Sequence, residues 1–399
     1  MEQPDDTKNP ALMNEIKEAM KRSPAEAAAF IQEHLEKEKN IPLNIAITGE
    51  AGSGKSTFVN AIRGIDNRDD AAAPTGCEET TMEVKAYPHL NYPNVTFWDL
   101  PGIGTKKFQA AEYLEHVGFE KFDFFIIISN DRFRDNDVKL VKEIRRMGKK
   151  FYFVRSKIDH NLQDEERSQK NFDAEKTLEK IRNYCVQGLQ KEGFESPQVF
   201  LVSSFDVRLY DFRRLEETLR RELPEHKRDV FLLAMPNISS EVIEEKKQAL
   251  KEKIKLVSLA SAGIASAPVP GISFAADLAM LDAAAIEFQT TLGLDDQSLQ
   301  NLAHHTGVPL SDLRAVMTSP LAGQKITKEL ISKVLAVITG TYALMALEEE
   351  TRFIPLLGIP AAMSLSFTAT YRALNSLLNM LADDAQRVFR KALGLNTQV

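Results

Sequence analysis

The sequence predicts two structural parts: an α/β domain with a largely parallel sheet, and an all-α remainder. Three observations predict this. From about residue 42 to about residue 222, apolar runs of strand length alternate with amphipathic helix patterns, as in a sheet covered by helices on both faces. After Pro224 the strand signal stops, and the rest of the chain reads as Ala- and Leu-rich helices. The charge density also breaks near Lys255: roughly a third of the first 255 residues are charged, against about one in seven of the last 144.

Residues 10–38 read as two helices. Ser23-Pro24-Ala25-Glu26 opens the second, with Ser as N-cap, Pro at the first helical position and Glu at the third. Residues 42–49 read as a buried strand, and further strands fall at 95–100, 122–129, 150–155 and 199–203. Helices come between them near 136–147, 173–191 and 211–222. Residues 241–257 form a charged amphipathic helix. The last helix, 361–392, has an apolar face that includes Phe367, Tyr371, Leu374, Leu377, Leu378 and Leu381, with Asp383 and Asp384 on its polar face. The expected division is 1–39 for N-terminal helices, 40–223 for the α/β domain and 224–399 for the C-terminal helices.

Composition excludes several classes. The chain has 399 residues and a formal charge of −7, with no long basic run, so nucleic acid is not an expected partner. With 43% apolar residues it is not a disordered chain. Cys77 and Cys185 make no disulfide scaffold and suit a reducing compartment. The acidic start has no apolar signal-peptide core, so a cytoplasmic, non-secreted location is expected. Glu2 stands where N-myristoylation needs glycine. Residues 256–276 and 353–371 carry no charge over near-spanning lengths. Pro268, Pro270 and Gly271 interrupt the first, and Pro355, Gly358 and Pro360 the second, which points to packed helices instead.

Gly49-Glu50-Ala51-Gly52-Ser53-Gly54-Lys55-Ser56 fits G-x-x-x-x-G-K-[ST], after a strand and opening a helix that continues into Thr57. Glycines let backbone N–H groups close on phosphate oxygens, and the helix adds its positive dipole end. Lys55 should reach the β and γ phosphates, and the Ser56 hydroxyl should bind Mg²⁺. Asp99-Leu100-Pro101-Gly102 ends a strand at the ligand edge of such a sheet. The Asp99 carboxylate would hold Mg²⁺, and the Gly102 N–H would sense the γ-phosphate. Ser156-Lys157-Ile158-Asp159 closes another strand. A carboxylate at Asp159 can accept guanine N1–H and N2–H₂ together, while the Lys157 stem lies over the base. Ser203 and Ser204 could meet the base edge through backbone groups. Between these motifs, Ala71–Glu83 reads as a loop that orders around the γ-phosphate, with Thr75, Thr80 and Thr81 competing as the second Mg²⁺ hydroxyl.

These motifs, with 97–104, 123–129, 151–159, 201–204 and 224–228, resemble the immunity-related (interferon-inducible) GTPase family. The resemblance implies a Ras-like G domain joined to an all-α helical domain built from the N- and C-terminal segments, as in dynamin-like proteins. It implies GTP/GDP with Mg²⁺ as ligands, Thr81 as the switch threonine, and a homodimer or homo-oligomer formed through the G domain. It implies peripheral action at intracellular membranes in cell-autonomous immunity. Glu79 matches a switch glutamate implicated in the family.

The chain departs from the pattern at Ile103, where Ras-like proteins place a water-orienting Gln, and mildly at Ser156 and Ser204. Slow GTP hydrolysis is therefore the expected reaction, with Lys55, Thr81 and Glu79 as its catalytic residues. A GTP-binding scaffold with negligible hydrolysis is the alternative. An ATP-dependent enzyme on the same loop is disfavoured by Asp159. Arg63, Arg132 and Arg134 are possible arginine fingers, and each reads more readily as a salt-bridge partner.

Overall fold

The computed structural model describes residues 10–76, 83–102, 117–130, 133–265, 272–321, 324–341 and 361–395. The chain divides into two compact units. One is Ile41–Ser239; the other joins Met1–Asn40 to Ser240–Val399.

The first unit is built on a six-stranded sheet of order β2-β3-β1-β4-β5-β6. The strands are β1 (Leu43–Gly49), β2 (Lys85–Pro88), β3 (Val95–Asp99), β4 (Phe124–Ser129), β5 (Lys150–Arg155) and β6 (Val199–Leu201). All neighbours pair in parallel except β2, which runs antiparallel to β3. Parallel strands are covered on both faces and so read as continuous apolar runs, not as alternation. All six residues of β4, Phe-Phe-Ile-Ile-Ile-Ser, are buried. Helices α3 (Lys55–Ile62), α4 (Asp135–Arg146), α5 (Ile158–Ser168), α6 (Ala174–Lys191), α7 (Phe212–Glu222) and α8 (Glu225–Ala234) complete this unit.

The expected boundary at Pro224 falls too early, because α8 belongs to the α/β unit. Phe231, Leu232 and Ala234 are buried. Lys227 Nζ donates to Asp123 Oδ1 at 2.6 Å, and Asp123 Oδ2 in turn accepts from Asn44 N at 2.9 Å, which ties the helix to the entry of β1. Loss of strand patterning marks where the sheet ends; the boundary of the unit is set by long-range packing.

The described elements of the second unit are all helices: α1 (Pro10–Arg22), α2 (Pro24–Lys39), α9 (Ser240–Ala265), α10 (Ile272–Thr291), α11 (Asp296–Thr306), α12 (Leu310–Ala315), α13 (Lys328–Thr341) and α14 (Ala361–Ala392). Ser23 stands at the N-cap of α2 in an extended conformation, with Pro24 at N1, but its side chain makes no capping hydrogen bond. Helix α9 is the hub, packing against α2, α10 and α14. Its packing side is aliphatic over its first part, with Ile243, Leu250 and Ile254 buried, and turns to mostly small residues near its end. Ser258 and Ser261 are fully buried, and Ser261 Oγ bonds Thr370 Oγ1 of α14 at 2.9 Å. At Gly263 a Cβ would lie 2.5 Å from Pro24 O and 2.8 Å from Ala28 Cβ. The charge-poor part of this helix is therefore low in charge because it is buried among helices.

The apolar face of α14 is likewise internal: Phe367, Leu374, Leu377, Leu378 and Leu381 have no exposed surface. Asp384, expected on the polar face, is instead fully buried. It accepts from Thr318 N at 2.7 Å, Ser319 N at 3.1 Å and Arg387 Nη1 at 3.0 Å, so its carboxylate replaces water for a turn of backbone. Among the described residues no helix is long and apolar enough to cross a membrane.

The α2–α9 contact yields a direct test. Gly263→Ala forces a methyl onto a backbone carbonyl and should lower stability by about 1–3 kcal/mol in urea unfolding. Unchanged stability would contradict the close approach.

Candidate nucleotide site

Strand β1 delivers the chain to Gly49 at the carboxyl edge of the sheet. There φ is +144°, and a Cβ would sit 2.1 Å from Ile128 O, so no other residue fits. Gly52 (φ +75°) and Gly54 (φ +94°) continue the loop, and Gly54 caps α3. Glu50 O accepts from Ser53 N at 3.2 Å and from Lys55 Nζ at 3.0 Å. The Lys55 ammonium, buried to 6% exposure, thus lies in the curve of its own loop. Ser53 is fully buried, and its Oγ has no hydrogen-bond partner. Thr57 is half-buried in the first turn of α3.

Two motifs converge on this loop. Asp99, the last residue of β3, is buried and accepts from Ser56 Oγ at 2.6 Å. A hydroxyl and a carboxylate so placed are the oxygen donors that suit Mg²⁺. Gly102 lies against the loop, since a Cβ there would be 2.8 Å from Ala51 N. A side chain would push the Asp99–Gly102 turn off the loop that carries the phosphate donors.

The third motif arrives from β5. Ser156 Oγ donates to Ser53 O at 2.7 Å, and Lys157 Nζ donates to Gly52 O at 2.9 Å. Lys157 adopts left-handed backbone, φ +57°, as the N-cap of α5. Asp159 comes next in the first turn, and its Oδ1 is buried with no hydrogen-bond partner. The neighbouring loop is joined to this motif by Ile158 N to Val202 O at 3.3 Å and Val202 N to Arg155 O at 2.9 Å. Ser203 is buried with its Oγ accepting from Phe205 N at 3.2 Å, and Ser204 is half-buried beside it. The structure therefore brings Gly49–Thr57, Asp99, Gly102, Lys157, Asp159, Ser203 and Ser204 to one edge of the sheet. Glu79, Thr80, Thr81, Ile103 and Arg132 lie outside the described residues, and Thr75 is exposed.

Sequence reasoning missed a second layer. The Glu50 carboxylate points away from the loop's interior into a clamp, accepting from Arg134 Nη1 at 2.8 Å and Asn136 Nδ2 at 2.9 Å. Asn130 Nδ2 donates to Gly52 O at 3.3 Å. Asp137 completes a capping box at the start of α4, its Oδ2 accepting from Arg134 N at 3.1 Å and Ser129 Oγ at 3.2 Å. Arg63 is also committed, donating to Ala71 O and Pro88 O at 3.0 Å each. Both described arginine candidates thus hold partners in their own chain. The only advance signal was the acidic start of α4, Asp135-Asn136-Asp137.

Burial pushes the Asp137 carboxyl up to about 6, with backbone and Ser129 hydrogen bonds opposing and Glu50 reinforcing. The folded state then holds a proton between pH about 4 and about 6 that the unfolded state has released, so this group's contribution falls as pH rises through that window. Asp137→Asn should remove that slope. Relative to the parent, its unfolding free energy should rise by about 2–3 kcal/mol between pH about 4 and 7. Parallel pH profiles for the two proteins would refute the assignment.

Comparison with known proteins gives a consistent picture. Residues 9–392 match the family described as Interferon-inducible GTPase. The chain is 40% identical over 361 residues to Interferon-gamma-inducible GTPase 10 of Mus musculus, covering 90% of this chain and 83% of that one. It is 39% identical over 369 residues to Interferon-inducible GTPase 5 of Rattus norvegicus, covering 92% and 79%. It is 42% identical over 295 residues to T-cell-specific guanine nucleotide triphosphate-binding protein 2 of Mus musculus, covering 74% and 71%.

Proposed function

The chain belongs to the interferon-inducible GTPase family and is a GTP hydrolase, and on that premise we propose that it turns GTP over slowly and self-assembles in a GTP-dependent way through its G domain. In this reading it acts peripherally at intracellular membranes in cell-autonomous immunity, in keeping with relatives named as interferon-inducible GTPases. The observation that carries the nucleotide assignment is Asp159, whose Oδ1 is buried without a partner beside Lys157 and the phosphate loop. An unsatisfied buried carboxylate oxygen is costly unless a ligand donates to it, and guanine offers two adjacent donors.

Each group has a task. The backbone N–H groups of Gly52–Ser56 cradle the phosphates. Lys55 exchanges Glu50 O for phosphate oxygens, a move within its own loop that needs no remote rearrangement. Ser56, Thr81 and Asp99 would hold Mg²⁺, which when bound neutralises phosphate charge. Gly102 N–H reads the γ-phosphate. Lys157 covers one face of the base, Asp159 its N1–N2 edge, and the backbone of Ser203 and Ser204 its rim.

With Ile103 in place of a glutamine, the motif after Asp99 supplies no water-orienting group. Glu79, positioned by a second copy across the nucleotide face, takes that role. Phosphoryl transfer asks the protein mainly for positioning and charge stabilisation, so an orienting group borrowed from a partner changes the rate more than the affinity.

Turnover per molecule should rise as enzyme concentration is raised about a hundredfold, as dimer-dependent positioning demands. A flat profile would leave the chain acting alone, and liposome co-sedimentation with GTP against GDP checks the membrane arm. Asp159→Asn should weaken GTP binding by about tenfold or more and improve binding of the xanthine nucleotide, because the amide replaces one acceptor by a donor. Retained guanine preference would remove Asp159 from the base site.

A further inference from the structure

Strand β5 leads into Ser156–Asp159 at one end, and at its other end a cavity of about 580 Å³ opens. Six residues of strand separate the two, about 20 Å. Four parts of the chain wall the cavity: the end of α4 with Arg145, the start of β5 with Lys149 and Lys150, the loop from α6 to β6 with Phe194, and the end of α7 with Glu222. A concave space of this size is that of a small-molecule site, and none of the nucleotide motifs lines it.

Two aromatic rings make its apolar part. Phe151 and Phe194 meet edge to face, with ring centres 5.3 Å apart and planes at 89°. Both pack on the core behind them yet stay only half-buried. Ring surface left open in a concavity is stabilised when a ligand covers it.

The lining carries three cations, Arg145, Lys149 and Lys150, against two carboxylates, Glu195 and Glu222. Glu222 is already engaged. Its Oε2 accepts from the Tyr152 hydroxyl at 2.8 Å and lies 3.6 Å from Lys150 Nζ, and its Oε1 accepts from Gln198 Nε2 at 3.4 Å. Burial, and then the bond to Glu222, hold the Tyr152 hydroxyl above its ordinary value, so it stays a donor. Glu195 is exposed to solvent.

Arg145 and Lys149 stand differently. Each gives hydrogen bonds to main-chain carbonyls, and among the described residues neither is paired with a carboxylate. Arg145 Nη1 donates to Gly193 O at 3.0 Å, and its guanidinium carbon lies 4.8 Å from the centre of the Phe194 ring. That contact holds a cation beside the apolar wall. Lys149 Nζ donates to Glu120 O at 3.0 Å and to Phe122 O at 2.7 Å, which leaves the third ammonium donor for another partner. A neutral carbonyl does not cancel a positive charge, so both side chains keep theirs.

We propose that this cavity binds a small organic anion with an aromatic body. The acid group pairs with Arg145 and Lys149, and the ring covers Phe151 and Phe194. The lining asks for both halves of such a ligand. An inorganic anion leaves the rings uncovered, and a neutral arene leaves the cations unmatched. The site is separate from the nucleotide site and stands whether or not that assignment holds.

The probe is anilinonaphthalene sulfonate, titrated by fluorescence into the full chain with and without saturating GDP. Saturable binding at a single site is expected, unchanged by GDP. Arg145→Gln should weaken it by about tenfold, as loss of a charge-assisted contact implies, and Phe194→Leu by about threefold. Arg167→Gln, at an exposed position on α5, should leave it within about twofold. Two comparisons on the unmodified protein need no variant. Neutral phenylnaphthylamine should bind about tenfold more weakly than the sulfonate, and inorganic phosphate at about tenfold excess should not displace the probe. Absence of saturable binding, displacement by GDP or by phosphate, equal affinity for the neutral arene, or the same effect from all three substitutions would each overturn the site.

Discussion

One backbone approach governs the nucleotide edge. Strand β1, paired on both sides by β3 and β4, ends where Gly49 meets the carbonyl of Ile128 at a distance no side chain tolerates. The chain must turn there, and it can turn only with left-handed conformations at Gly52 and Gly54. That turn leaves N–H groups pointing inward, opens α3 and sets Ser56 against Asp99. The motif from β5 then locks on from the other side, through Ser156 to Ser53 O and Lys157 to Gly52 O. The phosphate loop is thus braced by hydrogen bonds to its carbonyls, with the Ser53 N–H turned back to Glu50 O.

What could be read from the sequence was the chemistry carried by contiguous residues. Gly49–Ser56, Asp99–Gly102 and Ser156–Asp159 each lie within a few positions of one strand end, so their order along the chain makes them legible as candidates. Parallel strands declare themselves by unbroken apolar runs, as at β4. The hidden part is the set of side chains whose partners lie far away in the chain. Glu50 looks like a variable position of a loop motif until Arg134 and Asn136 are seen to hold it. Asn60 looks like an ordinary helix residue until Ala73 is found facing it. Asp384 looks solvated by pattern and is buried by the Thr318–Ser319 turn. In each case the periodicity of the element is right and the partner is supplied by tertiary structure.

The helical unit obeys a different logic. Its hub, α9, buries large aliphatic side chains along most of its length, while near its end Gly263 lets α2 approach closely and the Ser261 hydroxyl pairs with Thr370 of α14. Low charge in this half reflects helix-on-helix contact. The N-terminal helices complete that contact, so the two ends of the chain fold as one unit although the α/β unit is inserted between them.

The edges of the sheet carry one last consequence. At one side β2 has only four residues, beginning with Lys85 and ending with Pro88; at the other, β6 has three. A proline offers no amide hydrogen, and a charged, very short edge resists the annealing of a foreign strand. Among the described residues, each edge of the sheet thus offers a second strand only a short hydrogen-bonding ladder to extend.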